Sequence, residues 1–310
     1  MTDPCQTISV VIVSLVGGDA LGGLLGSLKP AADECLVLLD EGNNVSQLRE
    51  QFPAVQFVSR QDLSVPMARK RGAHLASGDI VALLEDTSLP APGWRDAVVA
   101  AFSRPGVVAA GGPVLLAARL GARFLALGSA EYGRFHPDRI SRLVDEPEGS
   151  ETIPEGLLPV TRLPGNNIAY RRAPLMEMLS QNESGLIEGE VNEALMARGF
   201  NLYIEPAMVV TYGMADEHGA RLRTRFNHGR LFAGNRIAGQ GAGARIGWFL
   251  KSLLLPFVLT TRGWSNMTAS VAAAAWPKVM AWILLMETAW SVGEAVGYLR
   301  GPGRSLDAWH

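Results

Sequence analysis

The sequence predicts an α/β fold with a doubly wound, mostly parallel sheet, followed by a C-terminal hydrophobic helical region. Two observations predict the sheet: apolar, β-branched runs recur through the first hundred residues, and short helical patterns separate them. Near-continuous apolar strands are typical of a parallel sheet that is covered on both faces. A third observation predicts the helical region, because six of the seven tryptophans follow residue 245.

The first elements alternate regularly. Strands are predicted at residues 8–15, 34–40, 55–60 and 79–86, with helices at 20–28, 45–52 and 66–76 between them. Ligands of such sheets bind at the carboxyl ends of the strands. Asp40, Arg60, Glu85 and Asp86 stand at those ends and mark the candidate site.

Later elements are less regular. Residues 144–160 hold five acids and three prolines, a composition that disfavours helix and central strand. A Gly165-Asn166-Asn167 turn then leads into a short strand, and a helix that ends at Gly199 precedes another strand. Residues 217–240 predict an arginine-rich helix.

Composition excludes several classes of protein. A chain of 310 residues with 48% hydrophobic residues is neither disordered nor a small disulfide scaffold. Two cysteines, Cys5 and Cys35, cannot supply a four-ligand zinc site. A net charge of −2 gives no basic surface for nucleic acid, so no nucleic-acid partner is expected. The N-terminus has no basic segment before its apolar run, which predicts that the chain begins in the cytosol.

The C-terminal region differs in kind from the rest. Tryptophans flanked by Lys and Arg are typical of segments that anchor at a membrane interface. Charged residues interrupt the region too often for a helix of about 20 apolar residues. We therefore expect residues 241–310 to form a membrane-associated region, peripheral or shallowly inserted through residues 245–300 at the cytoplasmic face. A soluble helical subdomain with a tryptophan-rich core is the alternative.

Five short motifs occur in an order that resembles family 2 glycosyltransferases with the nucleotide-sugar-binding GT-A fold. They are VVIVS, LLDEGNN, MARKRGAHLASGDIVALLEDTSLPAPGW, PGNNIAYRR and IEGEVNEALMARGFNLYIEP. The resemblance covers roughly residues 8–236 and implies a nucleotide-sugar-binding catalytic domain over residues 1–240. A membrane-associated transferase of bacterial surface-polysaccharide type is what it suggests.

The resemblance implies where the donor binds. Ser14 ends the first motif and would border the donor, and Asp40 matches the family acid that hydrogen-bonds the nucleotide base. Arg69 falls where the family reads Ala-Arg-Asn-x-Gly and would face the diphosphate, although Lys70 replaces the Asn. Asp40 could also be a turn residue beside Gly42.

Glu85, Asp86 and Thr87 occupy the family's Asp-x-Asp metal motif, with both outer aspartates substituted. Glu85 and Asp86 would then ligate a divalent cation, Mg²⁺ or Mn²⁺, whereas Thr87 is a weak ligand. Taken alone, the two carboxylates could equally cap the helix that starts near Trp94.

The family places its catalytic base at the start of the helix after the Gly-Asn turn, which implies Glu188 here. Glu190 is a second candidate, but it lies about 200° further around a helix and cannot share the face of Glu188. Either carboxylate could instead stabilise the helix N-terminus. The turn of Gly165, Asn166 and Asn167 would provide amides for acceptor or sugar hydroxyls, or form a plain turn.

The arginine-rich helix resembles the family's basic segment that closes over the diphosphate. His228 and Arg230 would then touch the phosphate of the nucleotide or of a lipid-linked acceptor. Solvated arginines that face anionic lipid headgroups explain the run equally well.

The predicted function is an inverting glycosyltransferase that moves a sugar from a nucleotide-diphosphate donor to a polysaccharide or lipid-linked acceptor hydroxyl, with Glu188 as the base. The alternative is a non-catalytic nucleotide-sugar-binding or scaffolding subunit, which the loss of both outer aspartates suggests. A nucleotidyltransferase is disfavoured, since the GGDALGG loop after the first strand carries no basic residue.

Overall fold

The computed structural model describes residues 6–15, 17–28, 32–40, 45–61, 63–117, 119–144, 153–213, 221–267, 271 and 273–305. The chain forms two compact units. The first comprises Met1–Leu115 and Arg134–Met214, and the second comprises Leu116–Gly133 and Ala215–His310. The sequence predicts a domain boundary at residue 240, after the arginine-rich helix. In the structure this helix belongs to the second unit.

The N-terminal half of the first unit alternates strand and helix as predicted. Its elements are β1 (Ile8–Val13), α1 (Gly18–Leu28), β2 (Glu34–Leu39), α2 (Val45–Gln51), β3 (Gln56–Ser59), α3 (Val65–Leu75), β4 (Ile80–Glu85), β5 (Ser88–Pro90), α4 (Trp94–Phe102), β6 (Ala109–Gly111) and β7 (Val114–Leu116).

The remaining elements of the chain are mostly helical. They are α5 (Ala122–Glu131), α6 (Pro137–Ile140), β8 (Leu158–Val160), β9 (Asn167–Arg171), α7 (Arg172–Ser180), α8 (Glu188–Met196), β10 (Leu202–Ile204), β11 (Val210–Tyr212), α9 (Leu222–Arg236), α10 (Ala242–Ser252), α11 (Leu255–Asn266) and α12 (Trp276–Arg300).

The central sheet has eight strands in the order β3-β2-β1-β4-β9-β6-β10-β8. The pairs β1–β2, β1–β4, β2–β3 and β6–β10 are parallel, which confirms the predicted mostly parallel α/β sheet. The late strand β9 runs antiparallel between β4 and β6. Its first residue, Asn167, therefore pairs with Leu84 near the carboxyl end of β4.

Close packing of helix on sheet fixes the position of α3. A side chain at Gly72 would bring its Cβ to 2.4 Å from Val11 Cγ1 and 2.8 Å from Leu38 Cδ1. Such distances are inside van der Waals contact, so a residue without a side chain lets α3 lie directly on β1 and β2. Arg69, one turn earlier on this helix, is positioned by that contact.

The second unit is a helical assembly around α9 and α12. Gly229 of α9 faces the backbone of Trp290, while Gly293 and Gly297 of α12 face the carbonyl oxygens of Phe226 and Arg230. Glycines on both helices thus allow the two backbones to approach closely. The C-terminal region is helical, as predicted.

By length and composition alone, one helical stretch within the described part of the chain, Ala273–Arg300, could cross a membrane. Helices α10 and α11 pass the same test only as a pair, and they are bent by 52° at the break between them.

Candidate active site

Arg69 lies between two carboxylates that the sequence places far apart. Its Nη2 donates to Glu85 Oε1 at 2.9 Å, and its Nη1 donates to Glu188 Oε1. The three side chains come from α3, the end of β4 and the start of α8. The tip of the fourth strand and the start of the helix at residue 188 therefore meet, bridged by one guanidinium.

The bridge is largely shielded from water. The Arg69 side chain is 7% exposed, that of Glu188 is 14% exposed and that of Glu85 is 29% exposed. Removing one partner of a shielded ion pair is costly, because the remaining charge then stays buried without compensation. A ligand anion that enters here must exchange with a carboxylate for Arg69.

Glu188 is the first residue of α8, with Ile187 as the helix cap. Burial raises its pKa above the ordinary value, and the Glu85 charge adds to the rise, whereas Arg69 opposes it. A carboxylate whose pKa is moved toward neutrality is better matched to accept a proton. Glu188 is thus a buried carboxylate at a helix start, with Arg69 as its charged partner.

Gly165 borders the Glu188 carboxylate. A Cβ at this position would stand 2.8 Å from Glu188 Oε1, so a side chain here would force the bridged carboxylate to shift. The other two residues of the predicted acceptor turn serve the interior. Asn167 is fully buried, accepts from Trp94 Nε1 at 3.0 Å and donates to the Met208 carbonyl at 2.6 Å.

Asn166 is likewise fully buried and donates from Nδ2 to Ser88 Oγ at 2.9 Å. The side-chain amides of both asparagines therefore bond within the protein, and a contact of the turn's backbone amides with an acceptor or sugar stays a prediction. The Gly-Asn-Asn motif alone does not indicate whether the asparagine side chains point toward a ligand or into the protein.

Asp86 bonds to the turn after β1. Its Oδ2 accepts from Ser14 Oγ at 2.7 Å and from the Gly17 amide at 3.2 Å, and Asp86 and Ser14 are almost fully buried. These bonds order the turn after β1. The predicted contact of Asp86 and Ser14 with the donor, and of Asp86 with a metal, stays a prediction.

Within the described residues, three or more Asp, Glu, His or Cys side chains nowhere form a group that could hold a metal. A divalent cation fits only as part of a complex with a diphosphate, because Mg²⁺ is commonly held by one or two carboxylates together with substrate phosphates. Glu85 is the residue that suits such a complex, since its side chain lies at the end of β4 and is partly exposed.

Asp40 pairs with Arg60 across the ends of β2 and β3. Arg60 Nε donates to Asp40 Oδ1 at 3.0 Å, and Nη2 donates to Oδ2. The arginine is 4% exposed, whereas the Asp40 side chain is 45% exposed. Asp40 is therefore oriented by a buried arginine and remains accessible to a ligand, as its predicted contact with the base requires.

Glu190 does not join Glu188. Its Oε2 accepts from Asn182 Nδ2 at 3.0 Å, and it lines a separate cleft of about 250 Å³ between α7 and α8. This cleft also contacts Arg198 and Met178. The prediction of Glu190 as a catalytic residue is corrected for the reason already visible in the helical spacing.

Tyr170 and Asn192 support the site and were not singled out from the sequence. Tyr170 is fully buried, its hydroxyl donates to Asn192 Oδ1 at 3.0 Å, and burial together with the Glu188 charge raises its pKa well above the ordinary value. A polar hydroxyl on a buried central strand was the available signal. The pair ties β9 to α8 and so helps to hold the helix start in place.

His228 and Arg230 belong to α9, in the second unit. Arg230 Nε donates to the Gly301 carbonyl at 3.2 Å. Arg225 is 4% exposed and pairs with Glu131 at 2.6 Å and Glu287 at 3.5 Å. Arg225 is therefore not one of the solvated arginines that the alternative interpretation requires, and a phosphate contact of His228 and Arg230 stays a prediction.

No protein-family model and no curated protein matches this chain. Among solved structures, it is similar to GalNAc-T7 with UDP, GalNAc and Mn²⁺ at 14% identity and a TM-score of 0.49, covering 69% of this chain. The chain spans 45% of the length of that protein.

Glucosyl-3-phosphoglycerate synthase from Mycobacterium tuberculosis, in complex with Mg²⁺ and UDP, gives 18% identity and a TM-score of 0.48 over 75% of this chain and 79% of the other. A mycobacterial protein gives 19% identity and a TM-score of 0.46 over 74% of each chain. The first two are GT-A-fold glycosyltransferases, the class that the sequence resemblance predicted. At identities and scores this low, function has to rest on the geometry of the site.

Proposed function

We propose that this protein is a glycosyltransferase that moves a sugar from a nucleotide-diphosphate donor to an acceptor hydroxyl. The observation that carries the proposal is the meeting of Glu85, Arg69 and Glu188 at the carboxyl end of β4. An accessible acid at the end of β2, Asp40, supports it as a contact for the nucleotide base. The sheet alone would be compatible with many chemistries, so the site decides.

In the proposed reaction Glu188 takes the proton of the acceptor hydroxyl as the oxygen attacks the anomeric carbon of the sugar. The nucleotide diphosphate leaves from the opposite face, so one displacement inverts the configuration. Arg69 donates hydrogen bonds to the diphosphate and stabilises the charge that develops on it. Only one base is needed on the acceptor side.

Arg69 has to change partners for this reaction. With no donor bound, it neutralises Glu188; when the diphosphate attracts the guanidinium, Glu188 loses that partner and its affinity for a proton rises. Donor binding thereby prepares the base. Glu85 would hold a divalent cation together with the diphosphate, and such a cation would supply further neutralisation of the leaving group.

The acceptor in this proposal is a growing polysaccharide or a lipid-linked sugar, and the enzyme works at the cytoplasmic face of a membrane. The tryptophan-rich helices within residues 245–300 support that location. His228 and Arg230 are assigned to a phosphate of the nucleotide or of the lipid-linked acceptor, and this assignment is testable by replacing each with a neutral residue.

The test is a panel of nucleotide sugars incubated with membrane extract, with release of free nucleotide as the signal. We expect one donor to be turned over by the wild type, and Glu188→Gln to lower turnover by a factor of about 10² to 10⁴, the range of a general base. Glu190→Gln and the exposed Glu193→Gln are matched controls on the same helix and should keep activity.

Three outcomes would change the proposal. Release of nucleotide from no member of the panel, despite tight binding of a nucleoside diphosphate, would favour the non-catalytic subunit. Full activity of Glu188→Gln would remove the assigned base. Activity that a chelator leaves unchanged would exclude Glu85 as a cation ligand. Arg69 would then neutralise the leaving diphosphate without a metal.

A further inference from the structure

We propose that the second unit binds a bilayer containing anionic lipid through one defined surface, and that α12 lies along this bilayer instead of crossing it. The surface, called here the lipid-facing surface, is formed by Ile246, Leu250, Leu253, Leu254, Phe257 and Trp264 of α10, α11 and the link between them. This inference deepens the membrane location in the proposed function but rests on different residues.

The lipid-facing surface is apolar and open. Phe257 is 72% exposed and Leu254 is 65% exposed, and the other four side chains are each more than half exposed. Large apolar side chains that are scattered singly need no explanation, but a contiguous group on neighbouring turns marks an interaction site. Leaving such a group of apolar side chains in contact with water is unfavourable, which points to a partner.

The charges around this surface select the partner. Residues 242–286 contain Arg245, Lys251, Arg262 and Lys278 and no Asp or Glu. Lys251, Arg262 and Lys278 are exposed. Apolar side chains flanked by cations alone are complementary to a bilayer whose headgroups are negative. A neutral protein partner would give no reason for the one-sided charge.

A groove beside the surface has the shape of a site for part of an acyl chain. It offers about 210 Å³ between α10 and α12, and its walls include Phe249, Leu253, Val292 and Leu299. Leu253 belongs to both the groove and the lipid-facing surface, so the two are continuous. Val292 and Leu299 are about half exposed, which places this side of α12 toward the same partner.

The opposite side of α12 is held by protein. Glu287 and Glu294 are each 5% exposed; Glu287 pairs with Arg225 of α9, and Glu294 accepts from Trp290 Nε1 and the Tyr298 hydroxyl. Gly293 also lies against the Phe226 carbonyl of α9.

A spanning α12 would therefore draw the arginine-rich α9 into hydrocarbon. Each arginine at the bilayer centre opposes insertion, by about 100-fold on insertion scales. Length and composition allow α12 to cross a membrane, but its partners do not. Lying along the interface leaves the α9–α12 contacts intact and still buries Val292 and Leu299 in lipid.

The first experiment is flotation of the full chain with vesicles of phosphatidylcholine alone or of equal parts phosphatidylcholine and phosphatidylglycerol. We expect binding to the mixed vesicles only, weakened by salt. Leu254→Ser combined with Phe257→Ser should lower the affinity more than about tenfold. Leu75→Ser, an exposed leucine of the first unit, is the matched control and should not change binding.

Charge is tested with Arg262→Glu against Arg142→Glu, an exposed arginine of the first unit. We expect Arg262→Glu to lower affinity for the mixed vesicles about fivefold or more, since one cation near an anionic surface contributes about that factor. Arg142→Glu should leave it unchanged. Equal losses in both variants would mean that net charge alone acts, and would overturn the assigned surface.

Depth is tested by quenching of tryptophan fluorescence with lipids brominated near the headgroup or near the bilayer centre. Shallow bromine should quench more, and Trp264→Phe should reduce this quenching. Retention of the chain in membranes after carbonate extraction, with quenching by deep bromine, would show a span and overturn the proposal. So would a lipid-independent dimer that binds neither vesicle.

The vesicle results and the enzyme results can fail separately. Nucleoside diphosphate binding by Leu254→Ser/Phe257→Ser should equal that of the wild type, because neither Leu254 nor Phe257 is among the residues assigned to the donor. Vesicle binding without turnover would keep the lipid-facing surface and reject the transferase, and turnover with no vesicle binding would do the reverse.

Discussion

Replacing Arg69 by Met tests the bridge on which the site depends. Met keeps most of the side-chain volume and removes the charge, so Glu188 stays buried without its cation. Breaking one side of a buried pair costs about 3–5 kcal/mol, whereas Glu85, which is about one-third exposed, contributes little. We expect a loss of about 3 kcal/mol in the free energy of unfolding at pH 8.

The loss should depend on pH in a defined direction. In Arg69→Met the pKa of Glu188 is raised further, because burial acts without the opposing cation. A raised folded-state pKa contributes stability at low pH that disappears as pH rises through it. The deficit of the variant should therefore be small at pH 5 and largest at pH 8.

Urea unfolding followed by circular dichroism at both pH values measures this deficit. Arg71→Met, on the same helix and half-buried, is the matched control; its Nη1 bonds to the Ser59 carbonyl and to Gln61, so we expect a loss of about 1 kcal/mol without the pH trend. Equal stability of Arg69→Met and wild type at pH 8 would refute the bridge. Adding Glu188→Gln to Arg69→Met should recover part of the loss.

Three further predictions concern single positions. Gly165→Ala should displace the Glu188 carboxylate and lower turnover more than about tenfold, whereas Gly189→Ala, whose added methyl meets open space, should not; equal activity of both would contradict the contact. Gly293→Ala places a Cβ 2.1 Å from the Phe226 carbonyl, so thermal unfolding should shift down, with Gly247→Ala as the unaffected control. Burial raises the pKa of the Cys35 thiol to about 12, so peptide mapping after alkylation at pH 8 should show Cys35 unlabelled until the chain is unfolded; rapid labelling of the native protein would argue against its burial.

The alternating half of the fold was predictable because each strand there carries its own signal. Runs such as ISVVIV and ECLVLL are apolar at all but one position, and apart from Glu34 both are buried in the sheet. Asp40 and Glu85 could be placed because a parallel sheet gathers its strand ends at one edge. Glu188 was placed by the family resemblance, which puts the base at the start of the helix after the Gly-Asn turn.

Other features depended on contacts that sequence spacing does not carry. The five residues of β9 contain no sign of their antiparallel position between β4 and β6. Arg225 resembles its solvated neighbours in sequence, yet it is buried because Glu131 and Glu287 come from distant helices.

The place of β9 in the sheet also bears on how the protein is made. A chain emerging from the ribosome completes β4 and β6 long before residues 167–171 appear. Until then, the edges of β4 and β6 that later pair with β9 have unpaired backbone groups. Arg69 and Glu188 are 119 positions apart, and they can meet only once that gap is filled. Nascent chains of this protein should thus recruit chaperones until β9 closes the middle of the sheet.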